Sequence, residues 1–336
     1  MNIQLTLTGK FIVGLVMLLF LVAIPWMTSD YFTMMSIRVM FFSMLTMSLC
    51  YLSGELGVVS LMQASFFGIS GYIVAILQTR VHLPFPIPAL AGITGAVLVA
   101  MVFGFLAIRA KGVYFLMLTL VLGQLFYSLA SQWASMTNGD SGITNIYAPV
   151  LFGFSTEKSK SVFYFFQLVF FIGVTGFLYA LRRSPFGLMV KGVRDSDTRM
   201  AMLGYRVATL RYLAFVFAAF VSAMGGVFFA YFTGLINPHS ASLSANVDTL
   251  LAGILGGINS IGGAILGTAI LKTLDVVLSG VTDRYQLIMG IMFLVVVLFA
   301  PKGILGSSQQ VLEKLSKQAL SALGLLKKER SSVSDK

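Results

Sequence analysis

Long apolar runs constrain this chain more than any other feature of its sequence. Runs of about 20 residues, the length that crosses a bilayer as a helix, recur along most of the chain and are separated by short loops. Only 10% of the 336 residues are charged, whereas about 25% are charged in a soluble domain. The sequence therefore predicts an all-α, polytopic membrane protein with about ten transmembrane helices.

The predicted spans follow the apolar runs in chain order. They are Phe11–Trp26, Tyr31–Leu52, Val58–Gln78, Ala89–Ile108, Val113–Trp133, Val162–Leu181, Tyr212–Thr233, the truncated piece Val247–Ile258, Ile261–Leu278 and Gln286–Ala300. The first run lacks a small-residue cleavage site after it, so we interpret it as a retained span rather than a signal peptide.

Positive charge orients these spans. The net charge is +11, and cytoplasmic loops of membrane proteins carry an excess of Lys and Arg. Counting crossings from an inner N-terminus places Arg109, residues 182–211 and the C-terminal tail on the same, cytoplasmic side. The sequence predicts a membrane domain over residues 1–305, a soluble tail over residues 306–336 and both termini in the cytoplasm. Because the basic residues lie in loops, we expect no binding of nucleic acid.

Motifs for catalysis are absent from the sequence. No phosphate-binding loop of the GxxxxGK[ST] type occurs, so we expect no ATP hydrolysis by this chain. His82 and His239 are isolated from each other and from the single cysteine, which argues against a metal site. We therefore expect no enzyme activity, and no metal or cofactor held by this chain.

The stretch Arg182–Arg211 is the longest interval between membrane-length runs in the body of the chain. It holds seven Lys/Arg against two acids. Asp195-Ser196-Asp197 supplies an N-cap candidate, and Gly204 is a suitable stop, which predicts a helix of about eight residues over Asp195–Leu203. A helix this short is unstable alone in water. It packs against its own membrane domain or a partner, unless the stretch is a solvated loop.

Glu55, Asp248, Lys272 and Asp275 are ionisable residues within or beside the apolar runs. Such groups cost several kcal/mol in lipid unless they are paired or hydrated, so each is a functional hypothesis. Lys272 and Asp275 lie three residues apart on one helix face, and we favour an internal pair over a substrate role. Glu55 lies between helix-breaking glycines, and both interpretations stay open. For Asp248 we favour a helix N-cap.

Two glycine-rich segments interrupt the spans, one in each half of the chain. They are Gly54–Gly71 (GELGVVSLMQASFFGISG) and Gly253–Gly267 (GILGGINSIGGAILG). Paired interruptions of this kind are typical of translocation paths built from discontinuous helices. The alternative is close helix packing through the GxxxG spacings of the second segment, and both can hold together.

The basic stretch resembles the cytoplasmic loop of the LivM-type permeases of branched-chain amino acid ABC importers. The match rests on Ser184-Pro185-Phe186-Gly187, Arg194-Asp195, Leu203-Gly204 and Leu213-Ala214-Phe215. In that family the loop engages an ATPase subunit. The resemblance therefore implies that Arg194, Asp195, Asp197, Arg199, Met200, Leu203 and Gly204 couple this chain to an ATPase.

Other segments extend the resemblance over nearly the whole chain. They are Gly54–Tyr72, Gly112–Gln124, Asn138–Ile143, Leu255–Gly267 and Ala300–Gly306. The first segment departs from the family pattern, because Glu55 replaces an aromatic residue and Gln63 a histidine. We predict that the translocation path is lined by Glu55, Gln63, Gln124, Gly256, Gly257 and Gly263.

The resemblance implies a permease subunit of an importer in the bacterial inner membrane. Its partners would be a second, LivH-like permease, two ABC ATPases that carry ATP and Mg²⁺, and a periplasmic substrate-binding protein. Branched-chain or other hydrophobic amino acids are the leading substrates. Urea, amides and aromatic or short organic acids are alternatives, as are a stand-alone secondary carrier and a structural membrane scaffold.

Overall fold

The structure is a computed structural model that describes residues 25, 30–110, 112–147, 150–151, 154–155, 160–280, 284, 287–291, 294 and 303. Its helices are α1 (Asp30–Tyr51), α2 (Gln63–Thr79), α3 (Ile87–Ala107), α4 (Val113–Gln132), α5 (Ala134–Thr137), α6 (Lys160–Arg183), α7 (Pro185–Asp195), α8 (Asp197–Met202), α9 (Val207–Thr233), α10 (Leu243–Gly256) and α11 (Ile261–Ser279). A π-helical turn, Leu52–Leu56, extends α1, and 3₁₀ turns occupy Gly139–Ser141 and Pro238–Ala241. A hairpin pairs β1 (Val150–Leu151) with β2 (Phe154–Ser155).

Two helices form the centre of the bundle. Most of α9 is buried, and it packs against α1, α2 and α3. The buried part of α1 contacts α6, α10 and α11 as well. Phe41 of α1, Phe67 of α2 and Phe229 of α9 pack ring against ring where these helices meet. By contrast, α3 and α4 leave broad apolar faces uncovered, as expected of helices that border lipid or another subunit.

Six helices of the described chain are long and apolar enough to cross a membrane. They are α1 with its π-helical turn, α3, α4, α6, α9 and α11, and each covers a predicted span to within a few residues. Nearly all of the predicted first span, more than half of the last span and the tail over residues 306–336 lie outside the described residues. The all-α, multi-span prediction is confirmed, and the count of about ten stays a prediction.

The helix α10 begins earlier than the apolar run indicated. We predicted a start at Val247 with Asp248 as the N-cap, and this was wrong. The cap is Ser242, whose hydroxyl accepts a hydrogen bond from the backbone N–H of Ala245, so Asp248 lies inside the helix. Ser244 and Asn246 interrupt the apolar residues of this segment, so hydropathy alone did not include its first turn in the predicted span.

The basic stretch contains two helices instead of one. The cap of α7 is Ser184, which accepts from the N–H of Gly187, and Pro185 occupies its first turn. Helix α8 is six residues long, shorter than predicted, and is capped by Ser196, the middle residue of the predicted trio. Gly204 follows with a φ of +85°, the left-handed conformation that ends helices.

Candidate functional site

The connection between α1 and α2 leaves α-helical geometry inside the membrane domain. The π-helical turn ends at Gly57, which adopts a φ of +75°, and α2 starts six residues later. The first N–H groups of α2 need acceptors because no preceding helical turn supplies them. The side-chain oxygen of Asn246 in α10 accepts one of them, from Ala64, at 3.0 Å. The two halves of the chain therefore meet at this break.

Glu55 lies in the π-helical turn and binds the basic stretch. Its carboxylate is only 3% exposed and contacts the Nε of Arg182 at 2.5 Å and the Nζ of Lys191 at 3.3 Å. Beside it, Arg194 donates a hydrogen bond to the carbonyl oxygen of Gly54. Three cations from α6 and α7 therefore hold the break between α1 and α2.

The second glycine-rich segment also contacts the break between α1 and α2. The backbone of Asn259, between α10 and α11, lies so close to Gly54 that a Cβ there would sit 3.3 Å from it. Arg182 also donates to the Asn259 carbonyl oxygen at 3.4 Å. Both interrupted segments and the basic stretch thus share one contact region, which we call the junction: Gly54, Glu55, Arg182, Lys191, Arg194 and Asn259.

We expect the substitution Glu55→Gln to destabilise the protein by about 2 kcal/mol, because it removes the charge from a buried, charge-assisted pair. The measurement is the midpoint of thermal unfolding of the detergent-solubilised protein, which should fall. Asp30→Asn is the matched control. It breaks the exposed pair with Lys160, 3.2 Å apart, and exposed pairs contribute little. Equal midpoints for the two variants would contradict the role assigned to Glu55.

Glycines of the second segment allow α10 and α11 to touch backbone to backbone. A Cβ at Gly256 would overlap the carbonyl oxygen of Gly263, and a Cβ at Gly267 would overlap that of Ala252. Gly257 is the C-cap of α10 with a φ of +113°, and the backbone of Gly303 lies against it. These contacts account for the glycines through packing, the second of the two interpretations drawn from the sequence.

The predicted path residues with amide side chains occupy different environments. Gln63 is fully buried; its side-chain oxygen accepts from Ser48 at 3.2 Å, and its backbone oxygen accepts from Ser222 at 2.6 Å. Gln124 is exposed on α4, on a helix that the described chain covers poorly. The geometry therefore makes Gln124 available to a path or a second subunit, and it places Gln63 between helices of this chain.

The predicted coupling residues also occupy different environments. Met200 is buried against Gly192 of α7, and Asp197 binds Arg211 at 2.5 Å, so both attach α8 to the membrane domain. Arg194 belongs to the junction. The exposed group consists of Asp195, Arg199, Leu203 and Gly204.

Met202 was missed by the sequence reasoning, although it stands beside Leu203. Their exposed fractions are 80% and 71%, high values for large apolar side chains. The helical spacing of Met200 and Leu203 indicated an apolar face but did not show which residues of the stretch would be covered.

Three cavities adjoin one another along α1 and α9. Helices α10 and α11 also line the first, α11 lines the second, and α6 lines the third. The first, of about 260 Å³, shares Phe42, Phe229 and Lys272 with the second, of about 230 Å³. The second shares Arg38 and Thr233 with the third, of about 610 Å³. The row of cavities lies toward the end of the bundle opposite the junction, and none of the three is lined by the six predicted path residues.

The pair Lys272/Asp275 forms as predicted, with 3.6 Å between Nζ and Oδ2. The ammonium of Lys272 also lies 4.2 Å from the centre of the Phe42 ring, a cation–π contact. Both side chains line the second cavity, and Lys272 lines the first as well. The pair is therefore internal to this chain and still borders open space.

Apolar spanning helices, two interrupted segments that meet and a row of cavities with charged and apolar lining residues are features of a multi-pass membrane permease. Comparison with known families agrees. The family model for the permease component of branched-chain amino acid transport systems matches residues 31–297. The chain belongs to this family, whose members are transport permeases rather than enzymes, and it is a multi-pass inner-membrane protein.

Relatives with known roles cover most of the chain. The high-affinity branched-chain amino acid permease protein LivM of Salmonella typhimurium is 25% identical over 326 residues, 90% of this chain and 76% of the relative. BraD of Pseudomonas aeruginosa is 25% identical over 269 residues, 75% of this chain and 87% of the relative. LivH of Salmonella typhimurium is 30% identical over 141 residues, 41% of this chain and 46% of the relative. No solved structure matches the chain.

Proposed function

We propose that this chain is one of two permease subunits of an ATP-driven importer and forms half of the path for a branched-chain or other hydrophobic amino acid. A second, LivH-like permease would complete the path. Two ATPases would bind ATP and Mg²⁺ on the cytoplasmic side, and a periplasmic protein would deliver the substrate. The proposal includes ten spans, cytoplasmic termini and a cytoplasmic tail over residues 306–336.

The proposal of an ATPase partner rests on the exposed apolar tip of α8. Met202 and Leu203 project from a short helix that is fixed to the membrane domain by Met200 and by the Asp197–Arg211 pair. Large apolar side chains on a rigid helix end are typical anchors for a groove on a partner. Exposed Arg199 lies one turn before this tip and exposed Asp195 precedes α8, and both would bind charged groups of the partner.

The junction offers a route from this tip to the membrane helices. Closure of the ATPases on ATP would push α8 and, through their shared contact, α7. Because Lys191 and Arg194 of α7 contact Glu55 and Gly54, movement of α7 would be transmitted to the break between α1 and α2. Gly54 adjoins Asn259, so α10 and α11 would move as well.

Reconstitution tests this proposal. The four membrane-associated subunits would be placed in proteoliposomes, with the binding protein outside and ATP inside, and uptake of radiolabelled L-leucine would be measured. We expect uptake that requires ATP and stops when the ATPase carries an inactivating substitution in its phosphate-binding loop. Uptake by this chain alone, driven by an ion gradient, would instead establish a secondary carrier.

The class of substrate is tested separately. Calorimetry on the binding protein encoded beside this chain should show tight binding of aliphatic amino acids. Binding of urea, an amide or an aromatic acid in their place would redirect the substrate assignment and leave the importer class intact.

A further inference from the structure

The first of the three cavities carries groups of opposite charge on facing elements. Asp248 comes from α10 and Lys272 from α11, while Phe42 and Leu45 of α1 and Phe229 of α9 supply an apolar wall. From this arrangement, and resting on the proposed function, we propose that the cavity is a binding site for a single zwitterionic, aliphatic α-amino acid on its way through the permease.

Asp248 is available to a cationic group. Its carboxylate forms no hydrogen bond or ion pair with any residue that the structure describes. A carboxylate within a membrane domain requires water or an opposite charge. The α-ammonium group of an amino acid has three donors and a full positive charge, so it satisfies this requirement better than water does.

Lys272 is held in place for an anionic group. Asp275, one turn further along α11, fixes its ammonium at 3.6 Å, and the ring of Phe42 lies on another side. An ammonium group has three donors. The 3.6 Å contact with Asp275 is an ion pair beyond hydrogen-bond distance. The donors therefore remain for the α-carboxylate of a substrate, and the position of the ammonium group is set before the substrate arrives.

The size of the cavity suits such a ligand. Its volume of about 260 Å³ lies just below the range of roughly 300–1,000 Å³ that is typical of pockets for drug-sized ligands. An aliphatic amino acid has about nine non-hydrogen atoms, fewer than a drug-sized ligand has. With the charged ends placed at Asp248 and Lys272, the side chain would face Phe42, Leu45 and Leu271.

Direct binding tests the site. Radiolabelled L-leucine would be titrated against the purified, nucleotide-free importer complex without its binding protein, and analogues that lack one charge would compete. For the wild type we expect saturable binding that valine displaces. 4-Methylpentanoate lacks the ammonium group and 3-methylbutylamine lacks the carboxylate, so neither should compete.

Two charge variants separate the roles of the two groups. Asp248→Asn should weaken leucine binding about 30-fold, as expected when one partner of a desolvated charge pair is removed, and it should allow 4-methylpentanoate to compete. Lys272→Gln should have the corresponding effect for 3-methylbutylamine. Asp248→Glu should restore most of the affinity.

Two further variants test the site without changing either charge. One reduces the volume of the cavity, and the other is a control at a position next to the cavity. Ala245→Leu fills the cavity from α10 without altering either charge, and it should weaken leucine binding more than alanine binding. Thr273→Val changes an exposed residue beside Lys272 that does not line the cavity, and it should bind like the wild type. Assembly with the ATPases, followed by gel filtration, shows whether each variant folds.

ATP-dependent leucine uptake by the same wild-type preparation distinguishes a failure of the proposed binding site from a failure of the proposed function. If the wild type imports leucine but binds none without its binding protein, or if the assembled Asp248, Lys272 and Ala245 variants all bind like the wild type, the site is wrong and the importer stands. If the wild type imports no amino acid, the proposed function itself is wrong.

Discussion

Replacing both Met202 and Leu203 with aspartate is expected to release the ATPase subunits from this permease. The two side chains are 80% and 71% exposed, so the substitutions remove no internal packing. A buried apolar anchor at an interface contributes about 2 kcal/mol or more, which is about 30-fold in affinity. The measurement is the amount of ATPase that co-purifies with the tagged permease, together with the loss of ATP-dependent uptake.

The control is Thr198→Asp, which adds one negative charge to α8 away from its tip, whereas the double variant adds two. Thr198 is exposed in the first turn of α8, where a negative charge is favourable to the helix. We expect this variant to co-purify normally with the ATPases. Retention of the ATPases by the Met202/Leu203 double variant would show that α8 does not form the contact. A charge reversal at Arg194 is less suited to the question, because it would disturb the junction as well.

Substituting alanine for Gly256 is expected to prevent recovery of folded protein. The added methyl group would overlap the backbone of Gly263, and backbone atoms cannot move aside as a side chain can. Overpacking in a well-packed interior costs about 1–3 kcal/mol, and separating α10 from α11 should cost more than that range. The measurement is the yield of monodisperse protein after solubilisation and its midpoint of thermal unfolding.

Gly176→Ala is the matched control, since it makes the same chemical change in α6. No atom of the described residues lies within 4 Å of the added Cβ, and alanine favours a helix over glycine by up to about 1 kcal/mol. We expect normal yield and a midpoint equal to or above that of the wild type. If the two variants behaved alike, the contact between α10 and α11 would not depend on glycine. Normal uptake by Gly256→Leu would in addition favour a structural scaffold over a permease.

Features set by nearby residues could be predicted from the sequence. Apolar runs located α1, α3, α4, α6, α9 and α11, because hydrophobic length reports directly on membrane crossing. The stop of α8 at Gly204 and the pair Lys272/Asp275 followed in the same way, since a left-handed cap and a three-residue spacing are local properties. The predicted start of α10 was wrong because it also rested on a local property, the hydropathy of the run. Its first turn mixes polar and apolar residues, and the Ser242 cap marks its start where hydropathy does not.

Contacts between distant parts of the chain could not be predicted. Glu55 had two open interpretations because Arg182 and Lys191, its partners, are more than a hundred residues away and reach it only after α6 and α7 pack on α1. The sequence showed Gln63 as a polar residue in an apolar run, and burial between helices is a property of their packing. Met200 and Met202 differ little in sequence context, yet one is buried against Gly192 and the other is exposed.

By itself, the sequence determined that this protein is a multi-span membrane protein and which stretch connects its helices on the basic side, because charge and hydropathy act residue by residue against the solvent. The tertiary structure alone decided which charges meet. It buried Glu55 at the junction, and it placed Asp248 and Lys272 on facing walls of one cavity. The reason is physical: in a membrane the free energy of a charge depends on what lies opposite to it, and only helix packing determines that.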